Sequence, residues 1–214
     1  MKVSKKKVAE NRDALIQAAG RLFRERGIDG VGIAEICQQA GLTHGALYAQ
    51  FPSKEALAAD ALADGLTRGH VRMTASIDGR EPTLADHLDY YLSSQHRDNL
   101  GGGCAMAASA SEIARQGKRI SVPFTDGFVR LVGAVERTLS GSATDRRQQA
   151  LAIVVAMIGG IAAARATAKA NPALSDDILV SVRRVLGELG AKTTPTAKKA
   201  RASGTEKPRT RIAG

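Results

Sequence analysis

The sequence predicts an all-α protein: an N-terminal three-helix group built around a helix-turn-helix, followed by a larger helical part, about nine helices in all. Three observations predict it. Apolar residues recur at three- and four-residue steps along most of the chain, and no run alternates apolar with polar as a half-buried strand does. Two short apolar-faced segments flank Gly41-Leu42, the frame of a helix-turn-helix. The 214 residues are enough for a real core. No segment repeats at a fixed period, which excludes a helical solenoid.

The first helix is expected over 8–26, where Leu15, Ile16, Ala19, Leu22 and Phe23 share one face and Gly27 ends the pattern. A second, over 33–40, buries Ile33, Ile36, Cys37 and Ala40 before Gly41-Leu42 breaks it. A third opens at Thr43 and stops at Pro52-Ser53, where Ser53 caps a long fourth helix with Glu55 in its first turn. Further helices are expected over 83–95, 104–116, 122–139, 144–170 and 175–189. Thr83 with Asp86 and Ser142 with Asp145 have near capping-box spacing, Pro123 suits a first turn, and Ser175 precedes Asp176 and Asp177. Gly101-Gly102-Gly103 reads as a flexible joint. The expected domains are 1–52, a helix-turn-helix domain with a basic N-terminal arm, 53–190, a helical effector-binding and dimerisation domain, and 191–214, a disordered basic tail too poor in apolar residues for a core.

Charge is segregated. The chain carries 31 Lys and Arg against 21 Asp and Glu, a net charge of +10. Residues 1–12 hold net +4 and residues 191–214 net +6, so 13–190 is formally neutral. Such ends suit a polyanion. Aromatic residues are 3% with no Trp, which argues against a base-stacking surface for single strands. Two cysteines, Cys37 and Cys104, without a secretory apolar segment, imply a reducing cytoplasm. The longest apolar run, 150–164, falls short of the roughly 20 residues that cross a bilayer, so a buried helix and no membrane partner are expected.

Residues 33–57 read IAEICQQAGLTHGALYAQFPSKEAL, and each part has a use on double-stranded DNA. The helix after the turn would point its N-terminus into the major groove. Thr43 offers a hydroxyl and free N–H groups to a phosphate, Gly45 and Ala46 let the backbone approach, and Ala46 can meet a thymine methyl. His44 is the polar reader of a base edge or phosphate. Tyr48 combines a ring over the small core with a hydroxyl for phosphate, and Lys54 adds a charge at the opening of the fourth helix.

These residues resemble the TetR family of bacterial one-component transcriptional regulators, and within it the branch that reads Gly-Leu-Thr-His-Gly before an aromatic and a Phe. The resemblance continues through Gly103-Cys104 with Glu112, then Gly159-Gly160, Ala163 to Arg165 and Leu174-Ser175-Asp176, covering roughly 8–189. Two departures stand out. Gln50 replaces the usual His, keeping a donor for phosphate but no titration, and Gly32 replaces a Ser or Thr cap, a change of about a few tenths of a kcal/mol. The resemblance implies a dimeric, ligand-responsive regulator, most simply a repressor of a pseudo-palindromic operator.

Ala156, Gly159, Gly160 and Ala163, with Val182 and Leu186 on the last helix, are the expected homodimer interface, since small residues let helices approach. Tyr90, Tyr91, Cys104, Met106, Phe124 and Phe128 are the candidate pocket for an apolar or aromatic effector. Cys104 opens a helix, where it is either a small packing residue or a redox-responsive thiol. His70, His87 and His96 lack ligand spacing and read as solvated helix positions, so no metal site is expected. Nor are a cofactor or an enzyme activity expected, as no nucleophile elbow, phosphate-cradling loop or carboxylate cluster occurs. The alternative is a DNA-compacting protein acting through its basic ends without regard to sequence.

Overall fold

The structure, a computed structural model, describes residues 4–191. Among these residues it is all helical apart from turns and one isolated bridge between Ile77 and Arg80. The ten helices are α1 (Lys5–Arg26), α2 (Ile33–Ala40), α3 (His44–Tyr48), α4 (Lys54–Thr74), α5 (Leu84–Tyr91), α6 (Ser94–Asp98), α7 (Ala105–Ile113), α8 (Lys118–Glu136), α9 (Ala143–Thr167) and α10 (Pro172–Ala191). An N-terminal helix-turn-helix domain is thus followed by a helical domain. The expected tail from 192 onward lies outside the described residues.

The N-terminal boundaries follow from local capping. Ser4 Oγ accepts from Lys7 N–H at 3.2 Å, so α1 starts three residues before the apolar pattern does. Lys5, Lys6 and Lys7 therefore form a helical turn, not an extended arm. Gly41 ends α2 at φ +67°, with Leu42 N–H returning to Cys37 O at 2.9 Å; a side chain there would meet left-handed strain. Thr43 then caps α3, and Ser53 caps α4 as expected.

The apolar residues Leu15, Ile36, Leu47, Phe51 and Leu57 are at most 2% exposed and join α1 to α4 into one core. Helix α4 serves both halves of the molecule. Its first turns bury Leu57, Ala58 and Ala61 in this core, with α1 packed along them, and Leu66 faces α8, where an added Cβ on Gly127 would lie 2.6 Å from Leu66 Cδ1. Helices α9 and α10 close the other side of α8 and α5.

Several expectations need correction. The expected helix over 83–95 is two: α5 ends at Tyr91 and α6 begins after Ser93, whose Oγ accepts from His96 N–H at 3.1 Å. Pro123 lies inside α8, because the buried Ile120 extends the helix back to Lys118. Ser175 does not cap α10. Asn171 does, accepting Leu174 N–H at 3.0 Å with Pro172 at the first helical position, and Ser175 is fully buried with its hydroxyl donating to Ala164 O at 2.7 Å. The triple glycine is a packed turn, not a flexible joint: Arg24 Nε donates to Gly101 O at 2.6 Å and Gly102 N–H to Asn99 Oδ1 at 2.9 Å. His87 and His96 are buried, 4% and 8% exposed.

Helix α9 is long and apolar enough to cross a membrane by length and composition, with mean hydropathy 1.9. Its face of Ala150, Ile153, Val154, Met157, Ile161 and Ala164 is instead buried against the rest of the fold. Only 39% of that apolar stretch is buried, however, so a second apolar face remains open.

Candidate functional site

The turn between α2 and α3 places a small polar surface at the outer end of the N-terminal domain. Thr43, His44, Gly45 and Tyr48 are exposed there, Ala46 is half-buried, and Leu47 points into the core. Thr43 Oγ1 accepts from Ala46 N–H at 3.2 Å, which commits the hydroxyl oxygen to the cap. Tyr48 is 55% exposed, so its ring stands out from the core rather than covering it. Gln50 is turned toward α1, its Nε2 donating to Val8 O at 3.4 Å, and Lys54 is half-buried in the first turn of α4.

What holds this surface is Arg12, which the charge count assigned to a free basic arm. Its guanidinium lies 4.3 Å from the centre of the Phe51 ring, donates to Gln50 O at 3.1 Å and pairs with Asp60. One side chain of α1 thereby positions the α3–α4 turn. Arg26 pairs with Glu35 in the same way across α1 and α2. Neither pairing is visible in local spacing.

The second candidate site is a cavity of about 500 Å³, including its open mouth, between α4, α5, α7 and α8. Of the expected residues, Tyr90, Tyr91, Cys104 and Met106 line it. Phe124 and Phe128 do not; they pack against the core, and the α8 wall is Gly127 and Leu131. The wall that the sequence reading missed is α4, through Leu66, Gly69, His70, Arg72 and Met73. A helix read only as a lever also forms the cavity.

His96 organises the cavity floor. Its Nδ1 lies 2.9 Å from Tyr91 O, and its Nε2 accepts Cys104 N–H at 3.0 Å, which sets Nδ1 as the protonated nitrogen. Burial and the nearby Arg165 push the imidazole down to about 4. Arg165 in turn donates to Arg97 O at 3.0 Å and His96 O at 2.9 Å, and Arg97 donates to Ser175 Oγ at 2.9 Å and Asp176 Oδ1 at 2.6 Å. The residues at the ends of α6, α9 and α10 thus form one network beneath the cavity. Cys37 is a core residue, 2% exposed, with burial pushing its thiol up.

The far end of the cavity's α7 wall is bonded directly to the N-terminal domain. Glu112 Oε1, near the end of α7, accepts Ile28 N–H at 2.7 Å and Asp29 N–H at 3.1 Å in the loop between α1 and α2. The other end of α7 is Cys104 and Met106 in the cavity wall. Arg24, reaching Gly101 O, is a second strut; burial and its neighbours Arg68 and Arg72 lower its guanidinium to about 10, still charged at neutral pH. Removing the Glu112 carboxylate strands two partly solvated N–H groups, so Glu112→Ala is expected to cost about 1–2 kcal/mol in urea unfolding. Glu112→Gln, which keeps an acceptor, should lose about half as much. Amide exchange at Ile28 should quicken in the first variant; unchanged exchange there would remove the strut.

Residues 15–61 match the family model for bacterial regulatory proteins, tetR family. Over 58 residues the chain is 38% identical to the HTH-type transcriptional repressor KstR2 of Mycolicibacterium smegmatis, covering 27% of this chain and 28% of that one. Over 78 residues it is 33% identical to the HTH-type transcriptional regulator TtgR of Pseudomonas putida, covering 36% and 37%. The aligned part thus spans about a third of each relative's length. The crystal structure of reduced NemR from E. coli is 21% identical with TM-score 0.66, over 81% of this chain and 95% of that one. A TetR-family transcriptional regulator from Cytophaga hutchinsonii is 22% identical with TM-score 0.66, over 88% and 98%. At these identities the solved structures establish the fold. Residues 15–61 are thus similar to the tetR family of bacterial regulatory proteins, and the chain as a whole has the fold of these solved structures.

Proposed function

We propose that this protein is a dimeric, ligand-responsive transcriptional regulator, a repressor that binds a pseudo-palindromic operator and leaves it when a small apolar or aromatic effector enters the cavity. The observation that carries the reading is the exposed group of Thr43, His44, Gly45 and Tyr48 on a core-anchored helix within a segment matching regulators. An ordinary helical hairpin accounts for Leu42, Leu47 and Phe51 but not for small and polar residues at this helix start. The lysines of the first turn of α1 favour the same partner. Cations at a helix N-terminus oppose the helix dipole, and a nearby phosphate backbone compensates them.

The dimer is supported by the open face of α9, where Val155, Gly159 and Ala163 are exposed and Ala156 half-buried, beside Val180 and Val185 of α10. Gly160 and Leu186 are not part of that face. Gly160 packs against Val182 and Leu92 inside one chain, and Leu186 is 5% exposed. Two chains pairing through α9 and α10 would set two recognition helices about 34 Å apart. Since α4 and α7 both run from the cavity to the N-terminal domain, a ligand that prefers one arrangement of their ends shifts the spacing population by its differential affinity.

The test is selection of bound sites from random duplex at near-physiological salt. A palindrome is expected. Binding that ignores sequence and falls steeply with salt would instead assign the protein to DNA compaction. His44→Ala should weaken binding to the selected site about tenfold with no change in thermal stability, the separation expected of a contact residue outside the core.

A further inference from the structure

Among the described residues, four buried polar atoms lack a hydrogen-bond partner: His70 Nδ1, Tyr91 Oη, Gln149 Oε1 and Arg165 Nη1. Three of them surround the α4–α8 cavity. His70 and Tyr91 line it, and the guanidinium of Arg165 occupies the place that a Cβ on Gly103, also a lining residue, would take. Buried polar groups are nearly always paired, so a stranded hydroxyl in a cavity wall points to a partner that enters with a ligand. Tyr91 is 3% exposed and its hydroxyl lies beside the Cys104 thiol, a weak partner. Burial keeps the phenol protonated, hence a donor.

Charge narrows the ligand further. The cavity wall contains no Asp or Glu, and its one charged side chain is Arg72, solvent-exposed and in no ion pair among the described residues. Arg165, just behind, bonds only backbone carbonyls. The rest of the wall is apolar: Leu66, Met73, Met106 and Leu131. A cation entering would find no counter-charge and would face two guanidinium groups. An anion would find a donor and two cations, the conditions under which a carboxylate can leave water.

We propose that the cavity takes an apolar carboxylate, a ring or short chain carrying one carboxyl group, with an oxygen accepting from the Tyr91 hydroxyl and the body against Leu66, Met73, Met106 and Leu131. This rests on the reading of the cavity as the effector site. Three isosteric probes separate the two: 2-naphthoate, 2-naphthamide and 2-naphthylmethylammonium, titrated calorimetrically into the full chain at pH 7.5 and near-physiological salt. The naphthoate should bind about tenfold or more tighter than either other probe. Tyr91→Phe removes a buried hydroxyl whose partner is at most the weak Cys104 thiol, so the variant should fold with little change in stability while losing about tenfold in naphthoate affinity.

Arg72→Gln should narrow the gap between naphthoate and naphthamide. Gly69→Phe grows a ring into the cavity from a position where a Cβ meets nothing within 4 Å, and should abolish binding of every probe. Equal or tighter binding of the amide or ammonium probe, or full naphthoate affinity in Tyr91→Phe, would overturn the carboxylate assignment and leave the effector cavity standing. Binding of no probe, or binding that persists in Gly69→Phe, would overturn both.

Discussion

Phe51→Ala is expected to destabilise the N-terminal domain by about 3–5 kcal/mol, the range for a buried Phe whose neighbours collapse only partly. The ring is 2% exposed and sits where α3 turns into α4. It also carries the Arg12 guanidinium at 4.3 Å, so its loss unseats the bond from Arg12 to Gln50 O and the orientation of the Asp60 pair. The proposed sequence-specific DNA binding should disappear at temperatures where circular dichroism still reports most of the helix, because α5 to α10 bury many residues of their own, Leu88, Val132 and Ile153 among them, although one continuous core links both halves. Phe51→Leu, which refills much of the volume, should cost about 1–2 kcal/mol and keep specific binding weakened. A loss below about 1 kcal/mol in Phe51→Ala would show that α3 is held by Leu47 and the backbone turn rather than by the ring.

The contrast between Phe51 and Arg12 marks what the sequence could show. Phe51 was legible as core because it follows Leu47 by four residues, one helical step, although it falls just beyond the end of α3. The caps Ser53, Thr83 and Ser142 were legible for a similar reason: the N–H each one satisfies lies three residues on, so the pairing is written in local spacing. Arg12, Glu112 and Ser175 were not legible in their roles. Their partners lie at Gln50, at Ile28 and at Ala164 with Arg97, and nothing in the intervening residues announces them. The cavity was half legible. Its tyrosines, Met106 and Cys104 were picked out as aromatic or soft residues in the right helices, whereas its α4 wall mixes the buried Leu66 and Met73 with Gly65, Gly69, His70 and Arg72, and these four carry no periodic apolar signal. The dimer residues divided likewise: small residues mark close helix approach, but Gly160 approaches Val182 of its own chain.

Acidification from pH 7.5 to 5 is expected to remove about 2 kcal/mol of stability through His96 alone. In the fold its imidazole titrates near 4, held neutral by burial first and by Arg165 second, while in the unfolded chain it titrates near 6.5. The unfolded state therefore binds the proton first as pH falls. The contribution is fully present above about 6.5, declines between 6.5 and 4, and is gone below 4, about 3 kcal/mol in all. His70 and His87 are also lowered by burial and add in the same direction. The local consequence is specific: Nε2 of His96 accepts the N–H that opens α7, and a proton there turns the acceptor into a donor facing a donor. The start of α7 and the cavity floor should loosen together while the Glu112 end stays bonded. Denaturant unfolding at a series of pH values should show a steep decline in the wild type and a shallower one in His96→Gln, with amide exchange at Cys104 quickening in step with the wild-type decline. Parallel curves in the two proteins would place the acid sensitivity at His70 and His87 and remove His96 as the group that couples protonation to α7.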